Sequence, residues 1–323
     1  DDLADSRPHR TLTRRGAVRL RNDLVDRLGD RSLVEWVVAR DEVWAVVLDR
    51  AGCRLVPIGP YDEIARARDR VVVWLDLAAE GPDDSSVRAM RAARLLDDLL
   101  IAPLGLAVGN GVVIVPVDLL HGIPWSGLPG LADRPVALAP NVQVWLGADR
   151  RAERHGSGVG LVIGPDLEGA EVEREVMQQL HPTLVVASGD EANAAAVSSM
   201  LSATDLVHVS AHGRFRSDQP LLSTLRLGDG ETTMYDAVPE RVTTRLAILS
   251  SCEGGAHGTA DGSEVLGFSS ILLARGAGAV LAPLTVVREL ECADFVARVH
   301  TELATGAPIA RAVAAVRQRW LDD

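Results

Sequence analysis

From residue 159 onward, short apolar runs alternate with segments long enough for helices, and that alternation constrains the fold more than any other feature of the chain. Strands are predicted over 159–163, 184–187, 206–210, 246–250 and 279–284. Helices are predicted over 168–180, 192–201, 264–273, 290–303 and 308–321, the last with Pro308 at its first position. Strands joined through helices of this length need crossover connections. They therefore form an α/β fold, a mostly parallel sheet flanked by helices on both faces. The run LRLGDGETT reads as a hairpin between the third and fourth strands.

The upstream portion has a different texture. Residues 33–59, LVEWVVARDEVWAVVLDRAGCRLVPIG, break into three β-rich runs at Ala39-Arg40-Asp41 and at Asp49-Arg50-Ala51-Gly52. This predicts a strand meander in which DRAG is a hairpin turn and Cys53 an ordinary strand residue. Between 61 and 104 the period becomes helical, with a break at Glu80-Gly81-Pro82-Asp83-Asp84. GVVIVPVDLL is strand-like, but Pro116 within it argues against a central paired strand. His121, beside the Gly/Pro-rich HGIPWSGLPG, reads as structural. Residues 1–32 are dense in Arg and Asp and read as a linker or frayed helix, the tail of an upstream region that a chain opening on Asp1 leaves out. The expected division is thus 1–32, 33–152 and 153–323.

Composition removes several functions. Across 323 residues the hydrophobic content is 47% and the charged content 24%, the balance of a soluble globular protein. A net charge of −12, from 45 acids against 33 bases, argues against direct nucleic-acid binding, and 3% aromatics leave little for base stacking. Three cysteines, Cys53, Cys252 and Cys292, are too few and too scattered for a disulfide framework, which points to a reducing, cytoplasmic setting. No apolar run reaches the ~18 residues of a membrane span, and no signal-peptide pattern is present.

In open α/β sheets, ligands sit outside the carboxyl ends of the strands. Asp166 follows the first strand of the regular half, His212-Gly213 the third, and Cys252-Glu253-Gly254-Gly255 the fourth. Three segments thus bring an acid, an imidazole and a thiol to one edge. A thiol needs a base to become a nucleophile, and His212 is the candidate. The backbone N–H groups of Gly213 and Cys252 are candidates for an oxyanion hole. Taken singly, a free Cys is more often a small buried hydrophobe, and a strand-ending His more often a cap. Their coincidence at adjacent strand ends favours chemistry. His208, His212 and His257 lack metal-ligand spacing, so no metal is expected. A Gly-x-Ser-x-Gly elbow and a phosphate-binding Gly-x-x-x-x-Gly-Lys-Ser/Thr element are both missing, despite the Gly-rich turns at Gly254-Gly255 and Gly276-Ala277-Gly278.

These residues also carry a resemblance. LVHVSAHGRF (206–215), LAILSSCEGG (246–255) and DGSEVLGFSSILLARGAGAVLAPL (261–284) resemble the CHAT family of caspase-like cysteine proteases, in the clan of caspases, separases and gingipains. VIVPVDLLHGIPWSGL (113–128) and LVEWVVARDEVWAVVLD (33–49) are similar to family segments ahead of the catalytic half. The resemblance implies a caspase-type fold in which 33–152 is a degenerate half and 153–323 the catalytic one. It implies His212 as general base and acid, Cys252 as nucleophile, a protein or peptide substrate, and no cofactor. It also implies tetratricopeptide repeats, a sensor region or an activating partner upstream, in bacterial signalling, defence or cell death. Thr285 stands where the family often has Trp, and Arg288-Glu289 where an acidic pair is common, which bears on substrate choice and regulation.

Asp166, Glu253, Asp261 and Glu264 lie near the expected site, and acids lining a substrate pocket favour cleavage after Arg or Lys. The other reading of these four is solvated loop and helix-start acids, with Glu264 favouring its helix N-terminus. The rival to an enzyme is a non-catalytic caspase-like scaffold, against which the intact His212/Cys252 pair counts.

Overall fold

A computed structural model of the chain describes residues 14–80, 84–153, 156–214, 219–250, 263–284 and 287–322. Its first portion builds α1 (Arg14–Leu28), β1 (Ser32–Ala39), β2 (Glu42–Asp49), β3 (Gly52–Pro60), α2 (Tyr61–Glu80), α3 (Ser85–Leu100), β4 (Val112–Val115), β5 (Val136–Leu138) and α4 (Val142–Ala152). The strands form one sheet in the order β3-β2-β1-β4-β5. The meander is antiparallel, as its turns predict: Asp49 Oδ1 accepts from the N–H groups of Ala51 and Gly52 at the DRAG turn. β4 and β5 then add in parallel.

Two expectations change here. The run containing Pro116 does supply a central strand, because β4 stops at Val115 and places all four of its residues in the core before the proline is reached. Within the segment read as a linker or frayed helix, α1 packs on the sheet. Its Leu24 and Leu28 are buried with Leu33, Leu48, Val113 and Trp145, while Arg27 and Arg31 pair with Asp149 of α4.

The second portion builds β6 (Val159–Ile163), α5 (Ala170–Leu180), β7 (Leu184–Ser188), α6 (Ala194–Ala203), β8 (Leu206–Ser210), β9 (His212–Arg214), β10 (Thr224–Leu227), β11 (Gly230–Thr233), α7 (Met234–Ala237), β12 (Leu246–Ser250), α8 (Ser263–Arg275), β13 (Ala279–Leu281), α9 (Glu289–Ala304) and α10 (Ile309–Asp322). Five strands form an all-parallel sheet in the order β13-β12-β8-β6-β7. Residues of alternating parity serve opposite faces, as a period of two requires. Val162, Val207, Val209, Ala247 and Leu249 pack towards α6 and α8. Leu161, Ile163, Leu206, Leu246 and Ile248 pack towards α5 and α9. Both faces are thus covered, which is why these strands read as continuous apolar runs. The predicted hairpin is β10–β11, and β9 joins it as a third antiparallel strand.

The two portions are tied by two arginines. Arg151 of α4 donates to the carbonyls of Leu273 and Ala277. Arg317 of α10 donates to the carbonyls of Leu131, Ala132 and Arg134.

Candidate active site

β8 and β12 are neighbours in parallel register, with Ser210 opposite Ser250. Ala211 bends the chain out of β8 into β9, and His212 stands at the start of that new strand, half-buried. Its Nε2 lies 3.0 Å from the backbone carbonyl oxygen of Asp166. A carbonyl only accepts, so Nε2 carries a proton and donates it, leaving Nδ1 as the basic nitrogen. The residue delivering that carbonyl has φ 61°, a left-handed conformation unusual for Asp. The loop ahead of it is pressed close to the hairpin: a Cβ on Gly164 would sit 2.5 Å from the carbonyl oxygen of Arg226. Glycine therefore permits the approach that brings the Asp166 carbonyl to the imidazole.

The Asp166 carboxylate points elsewhere. It is exposed and pairs with Arg226 of β10 at 2.8 Å. Gly213 pairs with Leu225 across the β9–β10 ladder. Glu264 belongs to the first turn of α8. Cys252, Glu253, Asp261 and Thr285 lie outside the described residues. Cys252 follows the end of β12 by two positions in the sequence.

Beneath the ends of β8 and β12 lies a polar cluster, of which the sequence marks only His208, and that as a metal ligand without the spacing for one. By strand parity Ser210 and Ser250 share the α5/α9 face with His208, and Glu173 of α5 meets them there. His208 is fully buried; its Nε2 lies 3.0 Å from Ser250 Oγ and 3.6 Å from Glu173 Oε1. Its Nδ1 faces Met177 Sδ at 3.2 Å and His300 Nε2 at 3.1 Å. Burial pushes the His208 pKa down to about 3 and lowers that of His300 well below its usual value, so both rings are neutral. Burial pushes the Glu173 carboxyl up, opposed by the Ser210 and Ser250 hydroxyls and reinforced by the charge of Glu289. The signal for Glu173 was present: it stands three residues after Ala170 and four before Met177, so it shares their buried helix face.

A cavity of about 120 Å³ opens beside His212, between the ends of these strands and the first turns of α5 and α9. Leu167, Val287, Cys292 and Ala293 give it apolar walls, and Glu173 and Glu289 give it two carboxyl groups. Glu289 Oε1 accepts from the N–H of Gly169, just ahead of α5. Among the described residues, no group of three or more His, Cys, Asp or Glu side chains is arranged to hold a metal ion. Nor is any helix among them long and apolar enough to cross a membrane.

Comparison with solved structures places the fold. Two structures of the Saccharomyces cerevisiae separase–securin complex, at 3.0 and 2.6 Å resolution, match with TM-scores of 0.60 and 0.56. Each match is 10% identical in sequence and covers 93% of this chain but 30% of the other. The parallel sheet with helices on both faces is therefore a caspase-like α/β fold, shared with separase. The family model of the CHAT domain matches residues 90–323, well over half of the sequence, and the chain belongs to that family. No curated protein sequence matches it.

Proposed function

We propose that the chain is a cysteine endopeptidase that cleaves protein substrates through His212 and Cys252. The observation that carries this reading is the Asp166 carbonyl on His212 Nε2, at the end of a strand adjacent to the one that leads to Cys252. It is the base-plus-orienting-group arrangement that activates a nucleophile, with a carbonyl as the orienting group. His212 Nδ1 takes the thiol proton, and the thiolate forms a C–S bond to the scissile carbonyl carbon. The developing oxyanion is met by the N–H groups of Gly213 and Cys252. The imidazolium returns its proton to the departing amine as the C–N bond breaks. Water, deprotonated by His212, then breaks the C–S bond and frees the acid and the thiol.

A basic residue before the cut bond is part of this reading: Glu253, Asp261 and Glu264 follow Cys252 closely in the sequence, whereas the Asp166 carboxylate is taken up by Arg226. Membership of the CHAT family supports regulation by an upstream sensor region, tetratricopeptide or otherwise, or by an activating partner, in cytoplasmic signalling, defence or cell death of a bacterium. The test is cleavage of a pooled fluorogenic peptide library by the wild type, Cys252→Ala and His212→Ala. Cleavage should fall by at least ~1000-fold in either variant. Equal cleavage by wild type and Cys252→Ala would sink the reading.

A further inference from the structure

The cavity beside His212 holds a carboxylate in an unusual position. Glu173 is 1% exposed yet lines the cavity. Its Oε2 is buried and has no hydrogen-bond partner among the described residues. Leaving a buried acceptor unsatisfied costs about 1–3 kcal/mol. The charged neighbours do not relieve it. Among the described residues Arg174 pairs with Glu171, Arg226 with Asp166 and Arg288 with Glu291, and the base that reaches Glu173, His208, is neutral. Glu289 adds a second carboxylate to the same space. The first turns of α5 and α9 stabilise the acids they carry, but they provide no donor for that oxygen.

Beside the two acids, His212 and the two serines, the lining of the cavity is mostly apolar. An aliphatic stem with a cationic tip fits both features: the stem against Leu167, Val287 and Ala293, the tip on Glu173. We propose that this cavity is the recognition pocket for a lysine or arginine side chain of the substrate, with Glu173 as the specificity-determining residue and Glu289 as the supporting charge. The assignment rests on the protease reading for its use in catalysis, and it moves the recognition charge away from Asp166, whose carboxylate is already paired. It also explains the two serines against Glu173. Ser210 and Ser250 each stand two residues before a member of the dyad. The recognition acid is therefore fixed to the same two strands that present the catalytic groups.

Binding can be measured without catalysis. The Cys252→Ala chain is titrated by calorimetry with n-butylguanidinium and n-pentylamine, and with the neutral valeramide as control. The cations should bind at least tenfold more tightly than valeramide. Glu173→Gln should erase that difference, Glu289→Gln should reduce it, and Glu171→Gln on the exposed side of α5 should leave it intact. Circular dichroism and the urea midpoint identify a Glu173→Gln protein that has not folded, in which case Glu289→Gln decides. Cations that bind no better than valeramide, or that bind Glu173→Gln (for an unfolded Glu173→Gln, Glu289→Gln) as well as the parent, overturn the proposal. In the active chain, Glu173→Gln should lower kcat/KM at least tenfold for peptides with Lys or Arg before the cut, relative to Gln or Met. Cleavage that prefers neutral residues in the wild type overturns the pocket and leaves the protease standing. Cation binding without any cleavage does the reverse.

Discussion

The two five-stranded sheets differ most in what lies beneath them. The first is sealed with bulk: Trp36 and Trp125 stack at 5.4 Å, and Leu96, Leu100, Leu104, Leu128 and Leu131 fill the space around them. The second buries His208, His300, Glu173, Ser210 and Ser250 in contact with one another, next to its strand ends. A core made for stability alone has no use for such groups, because each must be desolvated and then satisfied. Where one sheet spends its interior on packing, the other spends part of it on presenting polar groups to a cavity. Bulk should therefore decide the stability of the first portion, and protonation that of the second.

The largest expected effect on that contrast is Trp125→Ala. Trp125 is fully buried, and its loss should cost about 3–5 kcal/mol, read as a drop in the urea midpoint. A cost below about 1 kcal/mol would mean that the first sheet is not held by packing in this way. Next comes acid. His208 is neutral in the fold down to about pH 3, whereas the unfolded chain takes up that proton near pH 6.5. The contribution is complete above 6.5 and is lost as the pH falls towards 3, by about 2 kcal/mol at pH 5. His300 works in the same direction, while the raised carboxyl of Glu173 opposes them, losing stability as pH rises above its unfolded value. Denaturation at pH 7 and pH 5 should show a fall in the wild type that His208→Gln reduces; an unchanged fall would remove His208 from the account. The smallest effect belongs to Arg226→Ala. The exposed pair with Asp166 should contribute under about 1 kcal/mol, so the midpoint should hardly move. Peptide cleavage should slow a few-fold as the loop carrying the Asp166 carbonyl loosens, and an unaltered rate would show that Gly164 and the backbone fix the loop alone.

Much of the second portion was legible because period-two apolar runs and crossover helices leave few alternatives, and the ends of those strands then pointed to His212. The rest was obscured for identifiable reasons. Glu173 sits in EVEREV, where Glu171 and Glu175 are exposed, so charge alone suggests a solvated face and only the Ala170–Glu173–Met177 spacing contradicts it. The antiparallel partnership of β9 with the hairpin depends on a three-residue strand, too short to leave a pattern. β4 was hidden by Pro116, whose effect begins only after the fourth residue. Among its described side chains, the burial of α1 shows in Leu24 and Leu28, which stand among many charges.

Arg317 gives the order of events in the chain's making a definite shape. It closes the turn at Leu131–Arg134 across 183 to 186 residues of sequence. During synthesis the first sheet can assemble as soon as β5 has emerged, yet three carbonyls at its border must wait until residue 317 has been made. Contacts of such separation form late, since their loop entropy is lost before they return any stability. The border of the older half is therefore finished by the younger one, and a nascent chain halted before α10 would keep those carbonyls in water.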